Sequence, residues 1–278
     1  MYKIIKKQKL NDMVEKMTIY APFVARRCEP GQFIILCVNE GDERIPLTIQ
    51  NYDREAETVS IIYQVVGYST QKLALKNEGD FIAHFAGPLG VATHSKAEKR
   101  VLGIGGGVGA APLYPQIKKL KALGIECDVI LGGRSEEFVI LQEDFKEISK
   151  NVYCATNDGS LGKQGFVTDI LKELIEQGNI YDEVIAIGPL VMMKAVVSIT
   201  KSLNIPTMVS MNPIMIDGTG MCGGCRVTVG GQTKFACVDG PDFDGFEVDF
   251  DEALRRQSMY KTQEEHVCNL GIGGKNNG

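Results

Sequence analysis

The strongest constraint on the fold is a glycine-rich segment that stands between a buried strand pattern and a helical pattern. Apolar residues 101–104 (VLGI) run into Gly105-Gly106-Gly107-Val108-Gly109-Ala110, and an amphipathic stretch (APLYPQIKKLKALG) follows. Glycines at such a turn let the backbone approach a pyrophosphate, and the helix N-terminus offers it unpaired N–H groups. The segment therefore predicts nucleotide binding, against the simpler alternative of a tight turn without a ligand.

The alternation of strand and helix patterns continues to about residue 211. Strands are predicted at 126–133, 151–159, 182–188 and 205–212, with helical stretches between them. This pattern is typical of a parallel sheet covered by helices on both faces. We therefore predict a Rossmann-like NAD(P)-binding domain over residues 99–211.

In such a sheet the ligand lies beyond the carboxyl ends of the strands. Four residues at predicted strand ends are candidates for the same crevice: Arg134, Asp158, Gly159 and Gly188. Arg134 suits the 2′-phosphate of NADP, whereas the adjacent Glu136 and Glu137 suit the ribose diol of NAD. The sequence favours NAD.

Residues 1–98 have a different pattern. Short alternating runs at 33–39, 58–66 and 80–87 predict strands, turn residues separate them, and one helical stretch lies at 70–79. Several short strands with little helix predict a small antiparallel β-barrel or sandwich.

The region 212–278 is rich in glycine and contains three closely spaced thiols, Cys222, Cys225 and Cys237. Soft thiolates suit an iron–sulfur cluster or zinc. Asp217, five positions before Cys222, is a candidate fourth ligand, although Asp-Gly is also a common turn pair. Spacing alone leaves both roles open for Asp217.

The other titratable groups are not predicted as ligands. The isolated thiols lie among apolar neighbours and predict packing: Cys28, Cys37, Cys127 and Cys154. His266 and Cys268 lie in a polar tail, and the acidic run 239–252 predicts a solvated surface.

Charge and hydropathy exclude several function classes. The net charge is −5, which gives no electrostatic reason to expect nucleic acid or an anionic membrane as partner. No segment has the apolar run of a signal peptide or a membrane span, so a cytoplasmic location is expected.

Four further segments, in this order along the chain, resemble the ferredoxin–NADP reductase superfamily. They are Arg44-Ile45-Pro46-Leu47-Thr48, Gly67-Tyr68-Ser69-Thr70, Gly87-Pro88-Leu89-Gly90 and the glycine-rich segment that runs on to Pro112. The resemblance implies that the barrel binds FAD. It places Arg44 at the FAD pyrophosphate with Pro46 and Leu47 beside it, and Thr48, the catalytic candidate, near the reactive edge of the isoalloxazine. It also implies that Gly67, Ser69 and Thr70 hold phosphate, and that Gly87 and Gly90 form the closing loop of the barrel.

Within that superfamily, the chain looks most similar to the electron-transfer subunits of dihydroorotate dehydrogenase B and to the small subunit of NADH-dependent ferredoxin:NADP oxidoreductase. The first branch has a cysteine where this sequence has Asp217, whereas an aspartate ligand is a feature of the second. The resemblance thus implies a 2Fe–2S cluster held by Asp217, Cys222, Cys225 and Cys237.

The resemblance further implies a path of electrons between NAD(H) or NADP(H), FAD and the cluster. It implies a heterodimer with a larger flavoprotein subunit that carries FAD and 4Fe–4S clusters, through which ferredoxin is reached. Three alternatives stay open: a dihydroorotate dehydrogenase B subunit, a subunit of a hydrogenase or other reductase, and a zinc-stabilised nucleotide-binding module without flavin.

Overall fold

The structure, a computed structural model, describes residues 1–259. The predictions for His266 and Cys268 concern residues outside this part of the chain. Among the described residues, no helix has the length and apolar character needed to cross a membrane.

The N-terminal region is an antiparallel sheet that curls nearly into a barrel. Its elements are β1 (Tyr2–Lys9), β2 (Val14–Tyr20), α1 (Pro22–Ala25), β3 (Phe33–Cys37), β4 (Arg44–Asp53), β5 (Thr58–Gln64), α2 (Tyr68–Ala74), β6 (Phe81–Ile82) and β7 (His84–Leu89). The strand order is β6-β1-β2-β5-β4-β3-β7, and only Ala83 separates the two edge strands along the chain. Inward side chains such as Ile4, Met17, Ile34 and Ile61 are fully buried and form the core of the barrel.

The second region is built on a parallel sheet. Its elements are β8 (Arg100–Gly106), α3 (Ala110–Ala122), β9 (Glu126–Gly133), α4 (Gln142–Ile148), β10 (Asn151–Thr156), β11 (Lys163–Gln164), α5 (Val167–Glu176), β12 (Glu183–Ile187), α6 (Leu190–Ser202) and β13 (Thr207–Ser210). Helices α3 and α4 contribute to the core on one face, and α5 and α6 to the core on the other. Strands buried on both faces explain the continuous apolar runs in the sequence.

The remaining elements are β14 (Arg226–Val229), β15 (Gln232–Phe235), α7 (Ala236–Asp239), β16 (Asp242–Asp244) and α8 (Phe250–Gln257). Strands β14 and β15 form a hairpin, and β16 joins the parallel sheet as an antiparallel edge beside β13. The prediction that residues 239–252 form a solvated surface is correct only in part: most acidic side chains of the run are exposed, but several of its other residues are buried. Phe250 is 6% exposed and the Asp242 carboxyl lies inside the protein, because β16 and α8 pack against the sheet and α6.

The sheet order is β11-β10-β9-β8-β12-β13-β16. Successive strands run outward from β8 through β9 to β10, and the chain then returns to add β12 on the other side of β8. The order reverses between β8 and β12, and the crevice at such a switch point is where open α/β sheets bind ligands. The domain boundaries at 98/99 and 211/212 stay predictions.

Candidate functional site

The glycine-rich segment lies at this switch point. Gly105 and Gly106 end β8, residues 107–109 form one tight helical turn, and α3 begins at Ala110. A Cβ atom at Gly109 would lie 2.7 Å from the carbonyl carbon of Ile187, at the end of β12. A Cβ at Gly188 would lie 3.1 Å from the Cα of Gly106. Backbone atoms at the ends of β8 and β12, where glycines carry no side chains, therefore form the base of the crevice.

The next strand ends, after β9 and β10, form the rim of the crevice. The N–H of Asp158 donates to the carbonyl of Arg134 at 3.2 Å, and the N–H of Glu136 donates to the hydroxyl of Ser160 at 2.8 Å. The hydroxyl of Ser160 in turn donates to the Asp158 carboxylate at 2.7 Å, and this bond, followed by that from the Ser160 N–H, lowers the pKa of Asp158. The structure thus brings Arg134, Asp158 and Gly159 to the edge that the sequence predicted.

The segment Arg44–Thr48 forms the first half of β4. Its strand pairs with β3, so that Pro46 lies opposite Ile35 and Thr48 opposite Phe33. All five residues of the segment are partly exposed, but Ile45 and Leu47 pack against the barrel core. Arg44, Pro46 and Thr48 alternate with them along the strand and therefore lie on its outer face, where they are accessible to a ligand.

The start of α2 lies beside the start of β4. The hydroxyl of Thr70 accepts the N–H groups of Val66 and Gly67 at 3.1 and 3.0 Å, which caps the helix. The hydroxyl of Ser69 donates to the carboxylate of Glu43, the residue before Arg44. The two sequence segments assigned to FAD by resemblance are therefore neighbours in space.

The closing loop of the barrel packs tightly between two regions. A Cβ at Gly87 would lie 2.7 Å from Cγ2 of Ile34, and one at Gly90 would lie 2.8 Å from the carbonyl oxygen of Gly240. Gly90 also has a φ of +75°, a conformation that favours glycine. The loop joins the barrel to the cysteine-containing region.

Two of the three clustered thiols form a buried pair. The Sγ atoms of Cys225 and Cys237 are 3.2 Å apart, well beyond the ~2.05 Å of a disulfide. Burial, followed by the neighbouring thiol, raises the pKa of Cys237 to about 12. The isolated cysteines predicted to be packing residues are buried too: Cys28, Cys37, Cys127 and Cys154.

The other two predicted donors form a second pair. Asp217 accepts the N–H groups of Thr219 at 2.7 Å and Cys222 at 2.6 Å, and the Thr219 hydrogen bond is the main cause of its lowered pKa. Cys222 is exposed. Within residues 1–259, no set of three or more His, Cys, Asp or Glu side chains converges on a point suited to one metal ion.

Two pairs of donors, three on one glycine-rich loop and Cys237 in α7, fit a binuclear cluster, in which each iron takes two protein ligands. The thiolates and carboxylate are also of the right chemical type for iron. Gly224, between the second and third donors, directs its N–H toward the Cys222 sulfur at 3.5 Å. Amides facing sulfur are a normal feature of such sites, because they stabilise its negative charge.

The fold and these sites define an oxidoreductase of the ferredoxin-reductase type, with a barrel, a nucleotide-binding sheet and an iron–sulfur region. The model of the oxidoreductase NAD-binding domain matches residues 104–198. The model of the iron–sulfur cluster binding domain of dihydroorotate dehydrogenase B matches residues 212–249.

Full-length relatives agree with these matches. A dihydroorotate dehydrogenase B electron-transfer subunit homolog from Thermotoga maritima is 45% identical, over 94% of this chain and 92% of the relative. A probable subunit of the same kind from Methanocaldococcus jannaschii is 34% identical, over 91% and 93%. An uncharacterised protein of Clostridium beijerinckii is 53% identical, over 95% and 92%. The chain belongs to the family of dihydroorotate dehydrogenase B electron-transfer subunits and their homologues.

Solved structures add a second comparison. A chain from the structure of the NADH-dependent reduced ferredoxin–NADP oxidoreductase, described for flavin-based electron bifurcation, superposes with a TM-score of 0.92. It is 42% identical, and 98% of each chain is covered. The ferredoxin reductase of carbazole 1,9a-dioxygenase shares the fold alone, with a TM-score of 0.62 and 17% identity over 74% of this chain and 65% of the other. The predicted superfamily, fold class and cofactor set of NAD(H), FAD and a 2Fe–2S cluster are confirmed.

Proposed function

We propose that this chain is the electron-transfer subunit of a heteromeric, electron-bifurcating ferredoxin:NADP oxidoreductase. It moves electrons between NAD(H), FAD and a 2Fe–2S cluster. The observation that carries the proposal is the direct contact between the flavin segment and the cluster loop, since Arg44 donates to the backbone carbonyl of Ile216 at 2.6 Å. Electron transfer between two cofactors requires such proximity of their binding segments.

The chain's own residues bind and orient the reactants. Backbone N–H groups of residues 105–110 hold the dinucleotide phosphates, and the exposed carboxylates of Glu136 and Glu137 favour the ribose of NAD(H) over a 2′-phosphate. Arg44, Ser69 and Thr70 would hold the FAD phosphates, and Thr48 would face the flavin. FAD, when bound, supplies the exchange between two-electron hydride chemistry and one-electron transfer. No side chain is required as a general base.

The cluster ligands follow from the two donor pairs. We assign Cys225 and Cys237 to one iron because their sulfur atoms already lie in contact. We assign Asp217 and Cys222 to the other because the carboxylate accepts the cysteine's own N–H. An aspartate ligand is harder than a thiolate and can be protonated, so it tunes the cluster.

The choice of enzyme rests on Asp217 and on the likeness to the bifurcating oxidoreductase over the whole chain. We expect the partner to be a larger flavoprotein subunit with FAD and 4Fe–4S clusters, in the cytoplasm, with ferredoxin reacting through it. The second candidate is the electron-transfer subunit of a dihydroorotate dehydrogenase B, which the family model for residues 212–249 favours. Affinity purification of the chain from its own cells separates the two, because the second requires an FMN-containing dihydroorotate-oxidising partner.

The first test is the ultraviolet–visible spectrum of the protein purified without oxygen, before and after addition of NADH. Flavin bands with a broad cluster shoulder, bleached faster by NADH than by NADPH, are expected. A colourless protein with stoichiometric zinc would reject the electron path and support the nucleotide-binding module. Flavin and iron without bleaching by either nucleotide would reject the proposed role of residues 105–110.

A further inference from the structure

Arg44 links two regions that are far apart in the chain. It begins β4, yet its Nε–H donates to the carbonyl of Ile216 at 2.6 Å, and its Nη2 approaches the carbonyl of Asp217 at 3.3 Å. Both carbonyls belong to the loop that carries the predicted cluster ligands. A side chain assigned to the flavin by resemblance thus holds the cluster loop.

The same loop is fixed from a second direction. Gly218 has a φ of +79°, and a Cβ there would lie 2.7 Å from Cδ1 of Leu89 and 2.9 Å from Cδ1 of Ile35. Residues 216–218, the cluster-loop anchor, therefore lie between the guanidinium of Arg44 and the side chains of β3 and β7. A side chain at position 218 would press against the ends of these two side chains and would be strained at this φ, so glycine lets the anchor lie close against the barrel.

The position of the anchor determines where the cluster donors point. Asp217 lies within it, and its carboxylate binds the N–H groups of Thr219 and Cys222. A shift of the anchor along the barrel would move this carboxylate, and Cys222 with it. Arg44 is thus one of the contacts that hold the anchor to which this donor pair belongs.

Arg44 retains capacity for a second ligand. A guanidinium has five N–H donors, and the two carbonyls use only two of them. Within the described residues, no carboxylate lies within 4 Å of its nitrogens. A planar guanidinium with free N–H groups and no ion pair is well suited to bind a phosphate oxygen.

We propose that Arg44 couples the two cofactor sites energetically. One edge of its guanidinium holds the cluster-loop anchor and the other binds the FAD pyrophosphate, so that occupation of either site favours occupation of the other. This inference rests on the proposed function and assigns Arg44 as a positioning residue for the cluster. Such coupling is reciprocal by thermodynamic linkage.

A double-mutant cycle on the full-length chain measures the coupling. The Kd of FAD is determined for the protein with its cluster and for cluster-free Cys225→Ser, each with and without Arg44→Lys. Lysine keeps the charge but cannot hold two carbonyls and a phosphate with one rigid fork. We expect loss of the cluster to weaken FAD binding on the order of 10-fold with Arg44 and less than about 2-fold with lysine.

The matched control is Arg54→Lys, on the same barrel, where the arginine is paired with Glu29 at 2.9 Å instead of the loop. The Arg54→Lys variant should retain the full coupling between the cluster and FAD binding. Should Cys225→Ser fail to fold, the reduced cluster's electron paramagnetic resonance (EPR) spectrum is compared before and after removal of FAD. Flavin removal should shift the spectrum with Arg44 but not with Arg44→Lys.

Two results would show that Arg44 does not couple the sites. Loss of the cluster could weaken FAD binding equally in the Arg44 and Arg44→Lys proteins, or flavin removal could leave the EPR spectrum of the Arg44 protein unchanged. Either result leaves the proposed function intact, since both cofactors are then present. A wild-type protein that binds no flavin or no iron would instead reject the proposed function itself.

Discussion

The Sγ atoms of Cys225 and Cys237 lie 3.2 Å apart inside the protein, although twelve positions separate these residues in the chain. The hairpin β14–β15 brings them together, since Cys225 directly precedes β14 and Cys237 lies two positions after the end of β15, in α7. The N–H of Ala236 donates to the carbonyl of Cys225 at 3.1 Å and closes this arrangement. Half of the proposed cluster site is therefore determined by a folded β-hairpin.

Cys225→Ser should abolish cluster binding. A hydroxyl is a poor ligand for iron, and the substitution removes one member of the preformed pair. Substitutions of residues around a metal site that are not ligands typically lower metal affinity roughly 10- to 100-fold. Loss of a ligand should lower the affinity more than this, so that the purified variant contains little iron. Iron analysis and absorption spectra check this. Cys154→Ser, at another buried thiol in β10, should keep full iron, and equal iron in both variants would remove Cys225 from the ligand set.

Asp217→Asn separates the two roles of this residue that the sequence left open. Asparagine replaces aspartate well in a turn, because its carbonyl oxygen can still accept the N–H of Thr219, but it is a much weaker ligand for iron. If Asp217 is a ligand, the variant should lose most of its iron or show a changed EPR spectrum. An unchanged spectrum at full iron content would leave Asp217 as a turn residue only.

Much of the fold was predictable because secondary structure follows local periodicity. The runs predicted as strands at 33–39 and 58–66 contain β3 and β5, and the glycine segment stands between β8 and α3 as predicted. The run at 80–87 is split into β6 and β7 at Ala83, whose N–H donates to the carbonyl of Val38. That break depends on barrel closure, a long-range property that periodicity does not encode.

The contacts that join the sites were not predictable. Arg44 reads as a surface charge in the sequence, since the partners Ile216 and Asp217 lie more than 170 positions away and contribute only backbone atoms. The burial of Asp242 was missed for a related reason. Its segment is acidic throughout, and only the pairing of β16 with β13 determines which carboxylate turns inward.

Gly109→Ala should damage the nucleotide crevice. A Cβ there would lie 2.7 Å from the carbonyl carbon of Ile187 and 2.8 Å from Cα of Gly188, and backbone cannot yield as a side chain can. Overpacking of this kind costs about 1–3 kcal/mol, and separation of the two strand ends should weaken NADH binding at least ~10-fold. Thermal unfolding and NADH titration measure both effects.

The control for Gly109→Ala is Gly124→Ala, just beyond the other end of α3. Gly124 has a φ of +80° and nothing within 4 Å of a Cβ, so the variant should cost about 1 kcal/mol in stability. NADH affinity should not change. If Gly109→Ala also keeps its NADH affinity, the crevice at the switch point is not the dinucleotide site.

Asp242→Asn should change how stability depends on pH. The carboxylate accepts hydrogen bonds from Thr93 and Gln116, whereas its buried Oδ1 has no hydrogen-bond partner among residues 1–259, and burial raises the pKa of Asp242 to about 6. Thr93 follows the barrel, Gln116 belongs to α3, and Asp242 begins β16, so the group lies where three regions meet. A charge there destabilises the junction.

The sign follows from linkage. A carboxyl whose folded-state pKa is raised holds its proton more tightly when folded, so its contribution to stability is complete below pH ~4 and is lost as the pH rises through about 6. A shift of the pKa from an ordinary value near 4 to about 6 corresponds to about 3 kcal/mol in the free energy of unfolding.

The asparagine side chain cannot ionise, so the stability of Asp242→Asn relative to wild type should rise by about this amount between pH 4 and pH 8. Urea unfolding across that range tests the prediction. The comparison is repeated in a Glu183→Gln background, because the charge of Asp242 contributes to the raised pKa of Glu183. A difference that stays constant with pH would mean that Asp242 is already ionised throughout the range, and that the junction tolerates its charge.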